Sequence, residues 1–159
     1  MNPLTHLDSS GRVRMVDVGA KPATPRTAVA CGEIRMRPGV LRRIKGRSLS
    51  KGDALTVAKI AGIMAAKRTP ELIALCHGVH LDSIEVAFSF KRGRLRVQAT
   101  ARAFDRTGVE MEALTAVSVA CLAVYDMAKA GDRGMVIGPI YLLEKEGGRG
   151  GHFRRGGRP

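Results

Sequence analysis

Hydrophobic positions along this chain follow three patterns. Residues 111–130 are apolar on nearly every side of a helix, with Ala113, Leu114, Ala116, Val117, Ala120, Leu122 and Val124 leaving no polar face. Such a helix is buried on more than one side. It predicts a central helix, stopped at Gly131 and too apolar for one small sheet to cover, so that it also packs in a subunit interface. Strict alternation appears at Ile84, Val86, Phe88 and Phe90, and again at Leu95, Val97, Ala99 and Ala101. With Arg92-Gly93 between them, these predict a β-hairpin. Helical spacing recurs at Val57, Ile60, Ala61 and Met64, after Ser50-Lys51-Gly52-Asp53. This predicts a helix running to about residue 67, with Ser50 as its N-cap.

Weaker patterns fill the rest. Residues 27–36 read as a strand ended by Pro38-Gly39, and the basic connection after it as a loop. Thr69-Pro70-Glu71 restarts a short turn. Residues 135–145 read as a last strand, with Pro139 marking an edge or a bulge. Val13 to Val18 suggests one short strand in an N-terminal arm. From residue 27 onward the order is βαββαβ. That is a ferredoxin-like α+β fold, with helices on one face of an antiparallel sheet. Residues 1–147 form one domain with its arm. Residues 148–159 form a flexible basic tail rich in Gly and Arg, with nothing to pack.

Composition narrows the function. The chain has 159 residues, 45% hydrophobic but only 4% aromatic and without Trp, so the core is built from Ala, Val, Leu, Ile and Met. No apolar run of transmembrane length and no apolar leader at residues 1–6 stand out, which excludes a membrane protein. Cys31, Cys76 and Cys121 are scattered and odd in number, which fits a reducing cytoplasm. The net charge of +13 favours a polyanionic partner, either nucleic acid or a phosphorylated small molecule. Arg35, Arg37, Arg42, Arg43, Lys45 and Arg47 crowd one connection, and Arg149, Arg154, Arg155 and Arg158 crowd the tail. For each cluster alone, a solvated surface with no specific partner is the better reading.

Candidate chemistry sits at the ends of elements. Asp126 and Lys129, spaced i, i+3, share a face of the apolar helix. Charges within such a helix are costly unless paired or used. Lys51 precedes a helix start, where anions bind. His77, in Leu75-Cys76-His77, suits proton transfer near neutral pH. His77 and His80 have a metal-like spacing, but no third ligand accompanies them. Glu110 and Glu112 flank Met111; they favour the helix dipole and can accept paired N–H donors from a purine or pterin edge. Lys145 ends the last strand. A structural ion pair, a satisfied histidine and exposed lysines are the plain alternatives.

The motifs Lys51-Gly52-Asp53, Ala61-Gly62-Ile63-Met64-Ala65-Ala66-Lys67, Leu75-Cys76-His77, Thr107-Gly108-Val109-Glu110-Met111-Glu112-Ala113-Leu114 and Tyr125-Asp126-Met127, with Lys129, make the chain resemble the cyclic pyranopterin monophosphate synthases of molybdenum cofactor biosynthesis. The resemblance runs from about residue 4 to 152. It implies a cytoplasmic lyase, a homohexamer built as a trimer of dimers, that converts 3′,8-cyclo-7,8-dihydro-GTP to cyclic pyranopterin monophosphate and pyrophosphate. It implies Asp126, Lys129 and Lys51 as catalytic residues. It implies Leu75, Cys76, His77, Glu110, Met111, Glu112 and Lys145 at the substrate, with no metal held by the protein; Mg²⁺ on the triphosphate is left open. Gly78 stands where the family usually carries Pro, so this turn is less rigid. Two rival readings are an RNA-binding ferredoxin-like module and a ligand-binding hexamer without turnover. The first lacks a stacking strand, because Phe88 and Phe90 belong to the core alternation.

Overall fold

A computed structural model describes residues 10–156. The readings of residues 1–6 and of the last three positions fall outside them. Strand β1 spans Thr24–Arg35 and is followed by helices α1 (Pro38–Lys45), α2 (Ala54–Lys67) and α3 (Thr69–Leu72). Strands β2 (Leu81–Lys91) and β3 (Arg94–Asp105) form the hairpin, turning at Gly93 with φ +70°. Then come α4 (Glu110–Ala128), β4 (Val136–Glu146) and the two-residue β5 (Phe153–Arg154). The sheet order is β2-β3-β1-β4-β5, and every pairing is antiparallel. With the helices on one side, this is the ferredoxin-like α+β arrangement.

Small residues make the close packing. Ala28, Ala30 and Ile34 of β1 lie opposite Ala101, Ala99 and Leu95 of β3, and all are fully buried. α4 lies across them. Gly32 leaves room for it: a Cβ there would come within 2.5 Å of Val117 Cγ1. α2 approaches α4 as closely at Gly62, where a Cβ would stand 2.8 Å from the Ala116 carbonyl. Phe88 and Phe90 pair with the buried Val97 and Leu95, so both aromatics lie on the helix side of the sheet. The helix-free face therefore gains no stacking surface from them.

Several sequence expectations change. The basic connection after β1 is a helix, α1, not a loop. Pro38 sits in its first turn, and Val40 and Ile44, one turn apart, are buried. Its Arg42, Arg43 and Lys45 fall in the last turn, where cations favour the dipole. The N-cap of α2 is Asp53 rather than Ser50: its carboxylate accepts from the Leu55 and Thr56 N–H groups, and the bonds from the Thr56 N–H and hydroxyl, chiefly, hold its pKa below the usual value. Val57, Ile60 and Met64 do mark a helix, but they are exposed. α2 turns Ala58, Gly62, Ala65 and Ala66 inward instead, since only small side chains fit against α4. No strand forms over 13–18, where Val13 makes an isolated bridge. In the tail, Phe153 and Arg154 pair with Lys145 and Glu144, so the part read as having nothing to pack is seated on the sheet edge. By length and composition α4 would pass for a membrane span, contrary to the sequence reading. It is a core helix, lying between the sheet and α2.

Candidate active site

α4 carries chemistry at both ends. At its C-terminal end, Lys129 Nζ stands 2.7 Å from Asp126 Oδ1. Lys51, on the turn before α2, donates to Asp126 Oδ2 at 3.3 Å and to the Asp126 carbonyl at 3.1 Å. Gly52, at φ +97°, gives that turn the left-handed residue it needs. One carboxylate thus holds two ammonium groups. The bonds from Lys129 and then Lys51 keep the Asp126 carboxyl below its ordinary range. The group is half-exposed, with 58% of the Asp126 side chain accessible. The expectation of charges deep in an apolar helix is corrected here: the helix ends in time to lift both into solvent.

The N-terminal end is different. Glu112 is 1% exposed, and its Oε2 has no hydrogen-bond partner. Burial pushes its carboxyl above the ordinary range, against its own backbone N–H, and the nearby Glu110 and Asp105 push the same way. Cys76 Sγ lies 4.0 Å from Glu112 Oε1. Burial first, and then Glu112, raise the thiol pKa. Leu75 takes a left-handed φ of +64°, which turns the chain sharply into Cys76 and His77. His77 Nε2–H donates to the Val16 carbonyl at 2.7 Å, which fixes its tautomer and leaves Nδ1 free of that bond. The Glu110 carboxylate folds back over Gly108, and Met111 is part-exposed beside it.

Beside this end lies a cleft of about 510 Å³ lined by Lys21, Arg26, Arg106, Arg149 and the backbone of Gly148 and Gly150. Arg106 also borders a second hollow that contains His77. Lys145 reaches toward the cleft: its Nζ lies 2.6 Å from where a Gly150 Cβ would stand. No carboxylate pairs with Lys21, Arg26, Arg106 or Arg149 among the described residues. Sequence reasoning missed Lys21, Arg26 and Arg106. They are scattered in sequence, and only the strand ends bring them together.

Within one chain the structure therefore forms two groups. Lys51, Asp126 and Lys129 meet at one end of α4. Leu75, Cys76, His77, Glu110, Met111 and Glu112 gather at the other, with Lys145 and the cationic cleft beside them. Fourteen residues separate Glu112 from Asp126, which at the helical rise is about 21 Å.

Residues 15–148 match the model of the MoaC family. A cyclic pyranopterin monophosphate synthase of Magnetococcus marinus is 58% identical over 157 residues, covering 98% of this chain and 96% of the relative. A synthase of the same name from a Roseiflexus species is 56% identical over 96% of this chain and 98% of its own. Another, from Pelotomaculum thermopropionicum, is 55% identical over 99% and 94%. With a family match across most of its length, and relatives sharing more than half its residues end to end, the chain belongs to the MoaC family.

Proposed function

We propose that this chain converts 3′,8-cyclo-7,8-dihydro-GTP to cyclic pyranopterin monophosphate with release of pyrophosphate, as a phosphorus–oxygen lyase of molybdenum cofactor biosynthesis. The carrying observation, beside family membership, is one ionised carboxylate holding two lysine ammonium groups at the end of α4. The rearrangement opens one ring, closes others and expels a polyanion, so it needs positioned proton donors and acceptors and a stabilised leaving group. Asp126 orients Lys51 and Lys129, which serve as the acid and base. Glu112 offers a buried, unpaired oxygen to the N–H edge of the base, with Glu110 and Met111 beside it. Leu75, Cys76 and His77 wall the same side. The cationic cleft, with Lys145, receives the triphosphate. Any Mg²⁺ would enter on the phosphates of the substrate.

About 21 Å along α4 is too far for both groups to touch one nucleotide in one subunit. We therefore read the active site as shared between copies, in a homohexamer built as a trimer of dimers. The exposed Val57, Ile60 and Met64 of α2, with Leu122 of α4, are an apolar surface suited to such contacts. The reading places the enzyme in the cytoplasm, with neither nucleic acid nor membrane as partner. The test is pyrophosphate release from the cyclised nucleotide beside salt-dependent binding to random RNA. Turnover lost in Lys129→Ala, with no RNA binding, supports it; RNA binding without turnover sinks it.

A further inference from the structure

The C-terminal segment has a use that the reaction alone does not assign. Gly147 and Gly148 take left-handed φ values of +100° and +70°, and Gly151 +57°. Space demands glycine as well. A Cβ at Gly147 would strike the Pro25 carbonyl, one at Gly148 the Arg26 guanidinium, and one at Gly150 would stand 2.6 Å from Lys145 Nζ. The loop backbone is thus laid directly over Arg26 of the cleft and Lys145 beside it, and Arg149 adds a further cation at the cleft's rim. Tight glycine turns present backbone N–H groups that bind anions.

Residues 152–155 hold this loop down. Phe153 and Arg154 pair with β4. Arg155 N–H donates to the Leu143 carbonyl at 2.9 Å, its Nε to the Leu142 carbonyl at 3.0 Å, and its guanidinium lies 5.4 Å from the centre of the Tyr141 ring. His152 Nε2 meets Glu144 Oε1 at 2.7 Å. Without these contacts, a loop carrying four glycines in residues 147–151 would have a large conformational entropy to lose on closing over an anion.

We propose that residues 147–151 form a strap over the leaving pyrophosphate end of the substrate, with Arg149 as a phosphate-binding residue, and that residues 152–155 are the latch positioning it. The proposal deepens the reading of the cleft as the triphosphate site and rests on it. The strap sets affinity for the polyphosphate, and the latch acts through the strap.

The experiment measures binding of inorganic pyrophosphate by calorimetry, together with kcat and KM for the cyclised nucleotide. The proteins are the intact chain, Arg149→Ala, Arg149→Lys, Arg155→Ala and Arg155→Lys. Arg149→Ala should weaken pyrophosphate binding about tenfold, the loss of one charge-assisted contact, and Arg149→Lys should recover most of it. Arg155→Ala should raise KM and the pyrophosphate Kd about threefold to tenfold with kcat and Tm retained; Arg155→Lys, which keeps the charge but not the planar stacking, should recover only part. Unchanged pyrophosphate binding in Arg149→Ala overturns the strap, as does a fall in kcat alone in Arg155→Ala. If the intact chain turns over nucleotide without binding pyrophosphate, the strap fails and the assigned reaction stands. Arg149-dependent pyrophosphate binding without turnover has the opposite meaning.

Discussion

The two ends of α4 use opposite electrostatics. At the C-terminal end a carboxylate and two ammonium groups satisfy one another in partial contact with water. At the N-terminal end a carboxyl is buried with one oxygen unpaired, while cations line a cleft beside it without acidic partners among the described residues. In the first arrangement Lys129 and then Lys51 keep Asp126 ionised before any ligand arrives. The second is incomplete by itself and gains partners only when a ligand supplies N–H donors and negative charge. Stability and function therefore separate differently at the two ends. An exposed ion pair contributes about 0–1 kcal/mol to folding, whereas a buried unpaired polar atom costs about 1–3 kcal/mol until it is used.

The largest expected effect tests this separation at the C-terminal end. Asp126→Ala and Lys129→Ala are each expected to lower turnover by about 10²–10⁴ and to leave thermal unfolding nearly unchanged. The double variant should be scarcely worse than either, since groups acting as a unit are non-additive. Pyrophosphate release and calorimetry on the same samples check this. Near-normal turnover in folded Lys129→Ala would move the acid–base role to Lys51 and His77.

A second experiment asks whether the two ends work in one subunit or across two. Lys129→Ala and Glu112→Gln chains, each impaired in turnover alone, are co-expressed. Random pairing at a shared site should restore about a quarter of full activity. No recovery in a mixed oligomer would place both groups in the same chain's site. Sedimentation of the parent protein gives a parallel check, where a clean monomer is incompatible with sharing.

Gly62 holds α2 against the middle of α4, and thereby Lys51 against its C-terminal end. Adding a methyl there forces a clash with backbone at Ala116. Gly62→Ala should destabilise by about 1–3 kcal/mol in denaturant unfolding and reduce kcat by displacing Lys51. An unchanged midpoint would show that the helices separate freely.

The smallest effect concerns Glu112. Its folded pKa lies above its ordinary 4.5, so the neutral form suits the fold and ionisation opposes it. The stability cost is absent below pH 4.5 and grows as pH rises through the folded pKa. Glu112→Gln should therefore stabilise the fold at pH 8, a gain that shrinks to nothing in acid, while lowering turnover. Equal stability gains at both pH values would mean that desolvation is not the cause.

Much of the frame was legible in the residues. Alternation located the β2–β3 hairpin, and the all-round apolar stretch located α4, because burial on one or several sides leaves a periodic trace. Asp126 and Lys129 could be paired from their spacing alone. Other features left a misleading trace. Basic residues hid α1, whose two buried side chains make too short a pattern. The apolar stripe of α2 marks the outside, since the contact with α4 is made by alanines and a glycine that look neutral in sequence. The tail looked unpacked because its anchors are backbone bonds, a ring face and one His–Glu contact rather than apolar side chains.

The sequence by itself determined the βαββαβ order of the main elements, the ferredoxin-like class, the residue types of the chemistry and, through its motifs, the family. Tertiary structure alone decided which of those residues meet. Periodicity records how much of a side chain is buried, which is a local property. It carries nothing about where strand ends and turns come to lie. For that reason Lys51 was joined to Asp126, and Arg26 to the glycine loop, only once the sheet and α4 were assembled.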